Sequence, residues 1–198
     1  MPTLDPRGFL GVFDLVVVGE GEATMVELVE CFEKGTGLSG VKGLAYKEGN
    51  EVRFNSPRGF VDDLDCLPFP SRELFDNGAY KRYYSKRFGY TTTPLITSRG
   101  CPFTCDFCSR PVFGTSFRAR SASNIVDEVE SIAGLGYDRV WFADDCFTLN
   151  RDHLLNVCVE MVSRGVDVGW ECLSRVDTMD REVAAKMRKA GCVRIFSA

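Results

Sequence analysis

From residue 93 to the end of the chain, short apolar runs alternate with longer segments whose apolar residues recur every three or four positions. Runs at 94–98, Asp138-Arg-Val-Trp-Phe-Ala143, Val166-Asp-Val-Gly-Trp-Glu-Cys172 and Cys192-Val-Arg-Ile-Phe196 predict strands. Between them, Ile125, Val126, Val129 and Ile132 mark one face of a helix near 123–134. Leu154, Leu155, Cys158 and Met161–Val162 do the same near 151–164, with Gly165 suited to its end. Asp180 is placed to cap a helix reaching Ala190, with Val183, Ala184 and Met187 inward and Gly191 as the stop. Strands alternating with helices of this length predict βαβ units and a parallel sheet, an α/β fold.

The first part of the chain has a different rhythm. Asp14-Leu-Val-Val-Val-Gly19 reads as a buried strand, and Glu20-Gly21-Glu22 turns it into a helix. Met25, Leu28, Val29 and Phe32 recur at helical spacing, and Gly35 or Gly37 ends that helix. The two acids at its start suit the helix dipole and argue against an anion there. Val41–Tyr46 and Glu51–Phe54, around Glu48-Gly49-Asn50, predict a β-hairpin. Residues 56–72, with Pro57, Pro68 and Pro70, read as extended linker. Residues 73–92 are rich in Tyr, Lys and Arg, and Lys81-Arg82 and Lys86-Arg87 read as a solvated face. The expected organisation is 1–55 as one piece, 56–92 as linker and 93–198 as a second domain. Four βα units do not close a barrel, so the expectation is a fragment: the end of one domain and the first half of another.

Composition narrows the classes. A formal net charge of −4 gives no electrostatic case for nucleic acid or an anionic membrane. No apolar run reaches the length of a membrane span, and Met1-Pro-Thr-Leu-Asp-Pro6 is not a signal peptide, so the expected location is cytoplasmic. Nine cysteines without a secretion signal favour metal over disulfides. Cys31, Cys66, Cys146, Cys158, Cys172 and Cys192 are scattered and read as small buried hydrophobes.

The other three are packed into Cys101-Pro-Phe-Thr-Cys105-Asp-Phe-Cys108, just after the first strand of the regular region. Thiolates are soft ligands suited to iron–sulfur clusters, zinc and Cu(I). The residues leave several readings open: three buried structural cysteines, a zinc site completed by a fourth ligand such as Cys146, Cys172 or His153, or an iron–sulfur cluster. A four-iron cluster on three protein ligands leaves one iron open to a substrate or cosubstrate.

This Cys-x3-Cys-x2-Cys spacing after a strand, with an aromatic residue just before the last cysteine, resembles the radical S-adenosylmethionine (SAM) family. The resemblance covers about residues 93–198 and implies a partial (β/α) barrel of the radical SAM type, its first four βα units. It implies Cys101, Cys105 and Cys108 as ligands of a 4Fe-4S cluster and Phe107 beside the cofactor. SAM would chelate the open iron and be cleaved reductively to a deoxyadenosyl radical, with a flavodoxin or ferredoxin as reductant. The family's motif after the second strand is often Gly-Gly-Glu and holds the methionine ammonium; this chain has Phe142-Ala-Asp-Asp-Cys-Phe147 instead. Asp144 and Asp145 would accept the ammonium there; the competing reading is a solvated region before a helix. Arg175 after the third strand would pair with the cosubstrate carboxylate or form a surface salt bridge. Arg110, Arg118 and Arg120 would touch an anionic substrate or decorate a loop, and His153 reads as a packing or surface residue.

The N-terminal strand and helix, followed by Val61-Asp-Asp-Leu-Asp-Cys-Leu-Pro-Phe-Pro70 and the cysteine loop, resemble radical enzymes with an N-terminal cobalamin-binding domain. Those include methyltransferases, methylthiotransferase relatives and anaerobic tetrapyrrole cyclases. The resemblance implies the C-terminal remnant of a Rossmann-like cobalamin-binding domain over 1–55, with cobalamin held by a longer parent and an unknown, small-molecule or other, substrate. The alternative is a non-catalytic iron–sulfur or zinc-binding module.

Overall fold

The computed structural model describes residues 1–106, 108 and 112–197. They fall into two compact units: Met1–Asp62 with Pro102–Ser116, and Asp63–Cys101 with the chain from Phe117 onward.

In the first unit a one-turn helix α1 (Pro6–Phe9) precedes strand β1 (Leu15–Val17) and helix α2 (Glu22–Lys34). Gly35, in the left-handed region at φ 63°, ends α2, as the sequence signals. The expected hairpin is β2 (Leu44–Glu48) with β3 (Glu51–Phe54). β1 lies antiparallel on β2, which makes a three-stranded sheet in the order β1-β2-β3. The helix presents Leu28 to a small core with Val41, Leu44 and Tyr46. Met25, Val29 and Phe32, which share its apolar spacing, are 48–62% exposed, because three short strands cover only one side of the helix. Arg58 closes the unit from the linker side: its guanidinium donates to Thr24 Oγ1 at 2.8 Å and to Glu27 at 2.5 Å.

The second unit carries the regular pattern. The stretch expected to be extended linker contains single 3-10 turns at Leu64–Cys66 and Arg72–Leu74, then helix α3 (Asn77–Phe88). None of α3's residues is fully buried, so it lacks the apolar stripe by which helices are read from sequence. Its start is capped by Asp76, and Lys81 on it donates to the Leu135 carbonyl at 2.7 Å. Strand β4 (Thr92–Leu95) follows, then the two-residue strands β5 (Ser98–Arg99) and β6 (Arg118–Ala119), which pair antiparallel. The predicted run 94–98 is therefore split: β4 and β5 belong to different sheets. Helix α4 (Ala122–Gly134), strand β7 (Arg139–Phe142), helix α5 (Arg151–Ser163), strand β8 (Gly169–Ser174), helix α6 (Arg181–Lys189) and strand β9 (Cys192–Ser197) complete it.

β4, β7, β8 and β9 form one parallel sheet in that order, the α/β architecture expected. Leu95, Phe142, Cys172 and Ile195 make one row across it. The helices bury Ile125, Val126, Val129 and Ile132 from α4, Leu154, Val157, Cys158 and Met161 from α5, and Val183 and Met187 from α6. Ala184 faces solvent, and Ala190 is buried in its place. Phe142, Phe147 and Trp170 pack in tilted and edge-on pairs at centroid distances of 4.8–5.4 Å, and the Trp170 indole donates to the Ala190 carbonyl at 2.7 Å. Ser121, Asn150 and Asp180 cap the three helices through side-chain oxygens. Of the six scattered cysteines, Cys146, Cys158 and Cys172 are buried and Cys31 and Cys192 half-buried; Cys66 is exposed, against expectation, in the 3-10 turn before the prolines.

Among the described residues no helix is long and apolar enough to cross a membrane.

Candidate cofactor site

Functional groups of parallel α/β sheets gather beyond the carboxyl ends of the strands, because the loops there are free to vary while the strands are not. The carboxyl ends of β4, β7 and β8 lead into Cys101, Asp144-Asp145 and Arg175 respectively.

From Pro94 to Thr97 each backbone carbonyl has a named partner. The Pro94 carbonyl accepts from Arg72 at 2.7 Å, the Leu95 carbonyl from the Ala143 N–H at 2.8 Å, and the Ile96 carbonyl from Arg120 at 3.1 Å. The Thr97 N–H donates to Asp144 Oδ1 at 2.7 Å, and its carbonyl accepts from the Arg120 N–H at 2.9 Å. The side chains that reach these groups are themselves held. Glu128, buried on α4, takes Arg72 at 2.7 Å and Arg120 at 2.5 Å, and Arg120 also donates to Asn124 Oδ1 at 2.6 Å. Arg120 is thus spent on an internal ion pair, neither meeting a substrate nor decorating a loop as the sequence suggested. Gly100 then adopts φ 87°, a left-handed turn that a side chain would strain, and the chain arrives at Cys101, 7% exposed.

Asp144 is 1% exposed. Besides the Thr97 N–H, its carboxylate accepts the hydroxyls of Thr97 and of Ser98, the latter at 2.8 Å. Burial pushes its pKa up, and these donors oppose the shift. Asp145, the next residue, is exposed and has no hydrogen-bond partner among the described residues; partial burial raises its pKa. The paired acids are therefore unequal: one is committed inward and the other is open to an incoming cation.

His153, on α5, sits with Nε2 3.4 Å from the Thr97 hydroxyl and its ring edge-on to Phe117 and Phe147. Desolvation lowers its pKa to about 4, so it is neutral at pH 7. It is the packing residue expected. Arg175 opens the 3-10 turn after β8 and grips Asp177 through two bonds, at 3.0 and 2.7 Å. Beside it Thr148, Ser174 and Thr178 share their hydroxyls, with Thr148 Oγ1 2.8 Å from Ser174 Oγ. The Cys146 thiol lies 3.6 Å from Thr148 Oγ1, and burial raises its pKa.

Cys105 and Cys108 are half-buried, and the Cys108 N–H closes a turn on the Cys105 carbonyl at 3.1 Å. They belong to the first unit, whereas Cys101 belongs to the second. Among the described residues no group of three or more His, Cys, Asp or Glu side chains stands ready to hold a metal ion. Phe107 and Arg110 lie outside the described residues.

A family model described as the radical SAM superfamily matches residues 95–197. The chain belongs to the radical SAM superfamily. An uncharacterized methyltransferase of Pyrococcus horikoshii is 37% identical over 185 residues, which are 92% of this chain and 39% of that protein. An anaerobic magnesium-protoporphyrin IX monomethyl ester cyclase of Cereibacter sphaeroides is 33% identical over 192 residues, 92% of this chain and 30% of that one. The chain thus spans 30–39% of the length of these relatives. Its fold matches a radical S-adenosylmethionine methyltransferase, TsrM, from Kitasatospora setae with a TM-score of 0.81 at 21% identity, over 100% of this chain and 40% of that one. It matches a cobalamin-dependent S-adenosylmethionine radical enzyme, OxsB, with a TM-score of 0.78 at 22% identity, over 100% of this chain and 30% of the other.

Proposed function

We propose that this chain is the cluster-bearing part of a cobalamin-dependent type of radical SAM enzyme, with Cys101, Cys105 and Cys108 as the three protein ligands of a 4Fe-4S cluster. The observation that carries the reading is the Cys-x3-Cys-x2-Cys run at the exit of the first strand of a parallel sheet, inside a chain that belongs to this superfamily. The donor set fits the group: three soft thiols in eight residues, with no histidine among them. When bound, the cluster and SAM supply a one-electron cleavage that yields a carbon radical able to take hydrogen from a substrate.

The chain's own residues would do the holding. Cys101 is presented by a strand exit whose backbone groups are matched by Arg72, Arg120 and Asp144. Asp145 is exposed and open to a cosubstrate ammonium. Arg175 is oriented by Asp177; to pair with a cosubstrate carboxylate it would share or exchange that partner. Phe107 is assigned beside the cofactor by the motif alone.

The relatives' names support methyl transfer or cyclisation, and the reading extends to another C–H functionalisation, on a substrate those names do not identify for this chain. In domain terms, 1–55 is proposed as the end of a cobalamin-binding-like domain, 56–92 as the connection and 93–198 as the first half of the radical SAM core. The working environment is a reducing one such as the cytoplasm, with a flavodoxin- or ferredoxin-like reductant.

The test is anaerobic reconstitution with iron and sulfide. Wild type and Cys192→Ala should take up a cluster, and Cys105→Ala should not. Equal loss in both variants, or uptake of about one tetrahedral zinc without iron, contradicts the assignment.

A further inference from the structure

We infer that Asp144 is a positioning residue that fixes the strand exit delivering Cys101, and that only its neighbour Asp145 is free to meet a ligand. The inference rests on the three-cysteine reading above for its consequence, but its geometry stands alone. A carboxylate that receives a cosubstrate ammonium needs an accessible oxygen. Both oxygens of Asp144 are taken: Oδ1 by the Thr97 N–H at 2.7 Å, and Oδ2 by the hydroxyls of Thr97 and Ser98. The residue is 1% exposed, and Thr97 and Ser98 are equally enclosed at 0% and 5%.

Every one of these donors belongs to the four residues that precede Cys101. Thr97 is held from three sides. Its N–H and hydroxyl go to Asp144, its carbonyl to the Arg120 N–H, and its hydroxyl oxygen faces His153 Nε2 at 3.4 Å. Beyond Ser98, only Arg99 and the left-handed Gly100 separate this anchor from the Cys101 sulfur. Asp144 sits one residue past the point where β7 stops bonding to the first strand, at the Ala143 N–H to Leu95 carbonyl contact of 2.8 Å. Its side chain carries the link from β7 on to Thr97 and Ser98, past the point where β4 stops pairing with β7. A thiolate aimed by such an anchor loses little freedom on binding metal, which is what a preorganised ligand requires.

Alkylation of the metal-free protein, followed by mass spectrometry of the separate cysteine peptides, tests the anchor without a cluster. In Asp144→Ala, Cys101 should react at least about tenfold faster than in wild type, while Cys172 in the sheet core stays protected; Asp144→Asn, which keeps one acceptor oxygen, should restore much of the protection. If Asp144→Ala unprotects Cys172 as well, the unit has unfolded, and Thr97→Val is read in the same way. Unchanged Cys101 reactivity in a folded variant overturns the inference. In parallel, reconstituted Asp144→Ala should hold several-fold less iron or give a broadened electron paramagnetic resonance signal, with Asp145→Ala fully loaded. Full loading and an unaltered signal in Asp144→Ala, with loss of the response to SAM, makes Asp144 a ligand and contradicts the proposal. A wild type that takes up no iron contradicts the functional reading, and the alkylation result still decides Asp144.

Discussion

The Thr97 N–H donates to Asp144 Oδ1 at 2.7 Å, so this backbone donor between β4 and β5 is held by a carboxylate and not by a neighbouring strand. The same carboxylate accepts the Thr97 hydroxyl. Thr97→Val keeps the shape and removes that donor from a buried acceptor. The expected loss is about 1–3 kcal/mol in chemical denaturation, and Thr97→Ser should recover most of it.

Glu128 is the hinge of the second anchor. It is buried between Arg72 and Arg120, whose guanidiniums also bond the Pro94 and Ile96 carbonyls. Glu128→Ala leaves two cations facing each other without their anion and should cost about 3–5 kcal/mol. A loss below roughly 0.5 kcal/mol, the range of ordinary surface changes, would mean that the triad holds nothing.

His153 gives a pH dependence of known sign. Its pKa is lowered from 6.5 to about 4 in the folded chain, so between those values the unfolded chain binds the extra proton. Stability from the neutral imidazole is complete above about pH 6.5 and is lost as pH falls toward about 4. Wild type should lose at most about 1.4 kcal/mol per pH unit more than His153→Leu across that window. Parallel stability curves for the two proteins would show the histidine to be solvated.

Asp145 should separate binding from folding. It is exposed and makes no hydrogen bond among the described residues, so Asp145→Ala should alter stability by no more than roughly 0.5 kcal/mol. The reconstituted variant should keep its iron and lose most of its spectral response to SAM. A large fall in melting temperature would instead make Asp145 a structural residue.

Local periodicity carried much of the fold. The stripes on α4 and α5 and the cap at Asp180 come from spacing within one element, and the parallel sheet follows from alternation. α3 did not announce itself, because it buries no residue fully and has no stripe; only Asp76 before it and Gly89 after it mark its ends. On α2 the stripe is present but most of it is uncovered, since periodicity says which residues share a face and not how much of that face is buried. At the site, the strand ends that hold Cys101, Asp144 and Arg175 are legible because βα loops follow strands. The division of labour in Asp144-Asp145 is not. Asp144 finds its partners 47 residues away, and two adjacent identical side chains differ only in what the fold brings to each. Arg120 likewise reads as a free cation until α4 brings Glu128 to it.

The most direct measurement is the electron paramagnetic resonance spectrum of the anaerobically reconstituted, reduced chain with and without SAM. A cubane signal that shifts when SAM is added, and that disappears in Cys105→Ala, is the expected result. A reconstituted cluster whose signal is indifferent to SAM would contradict the enzyme reading and leave a metal module without an open iron.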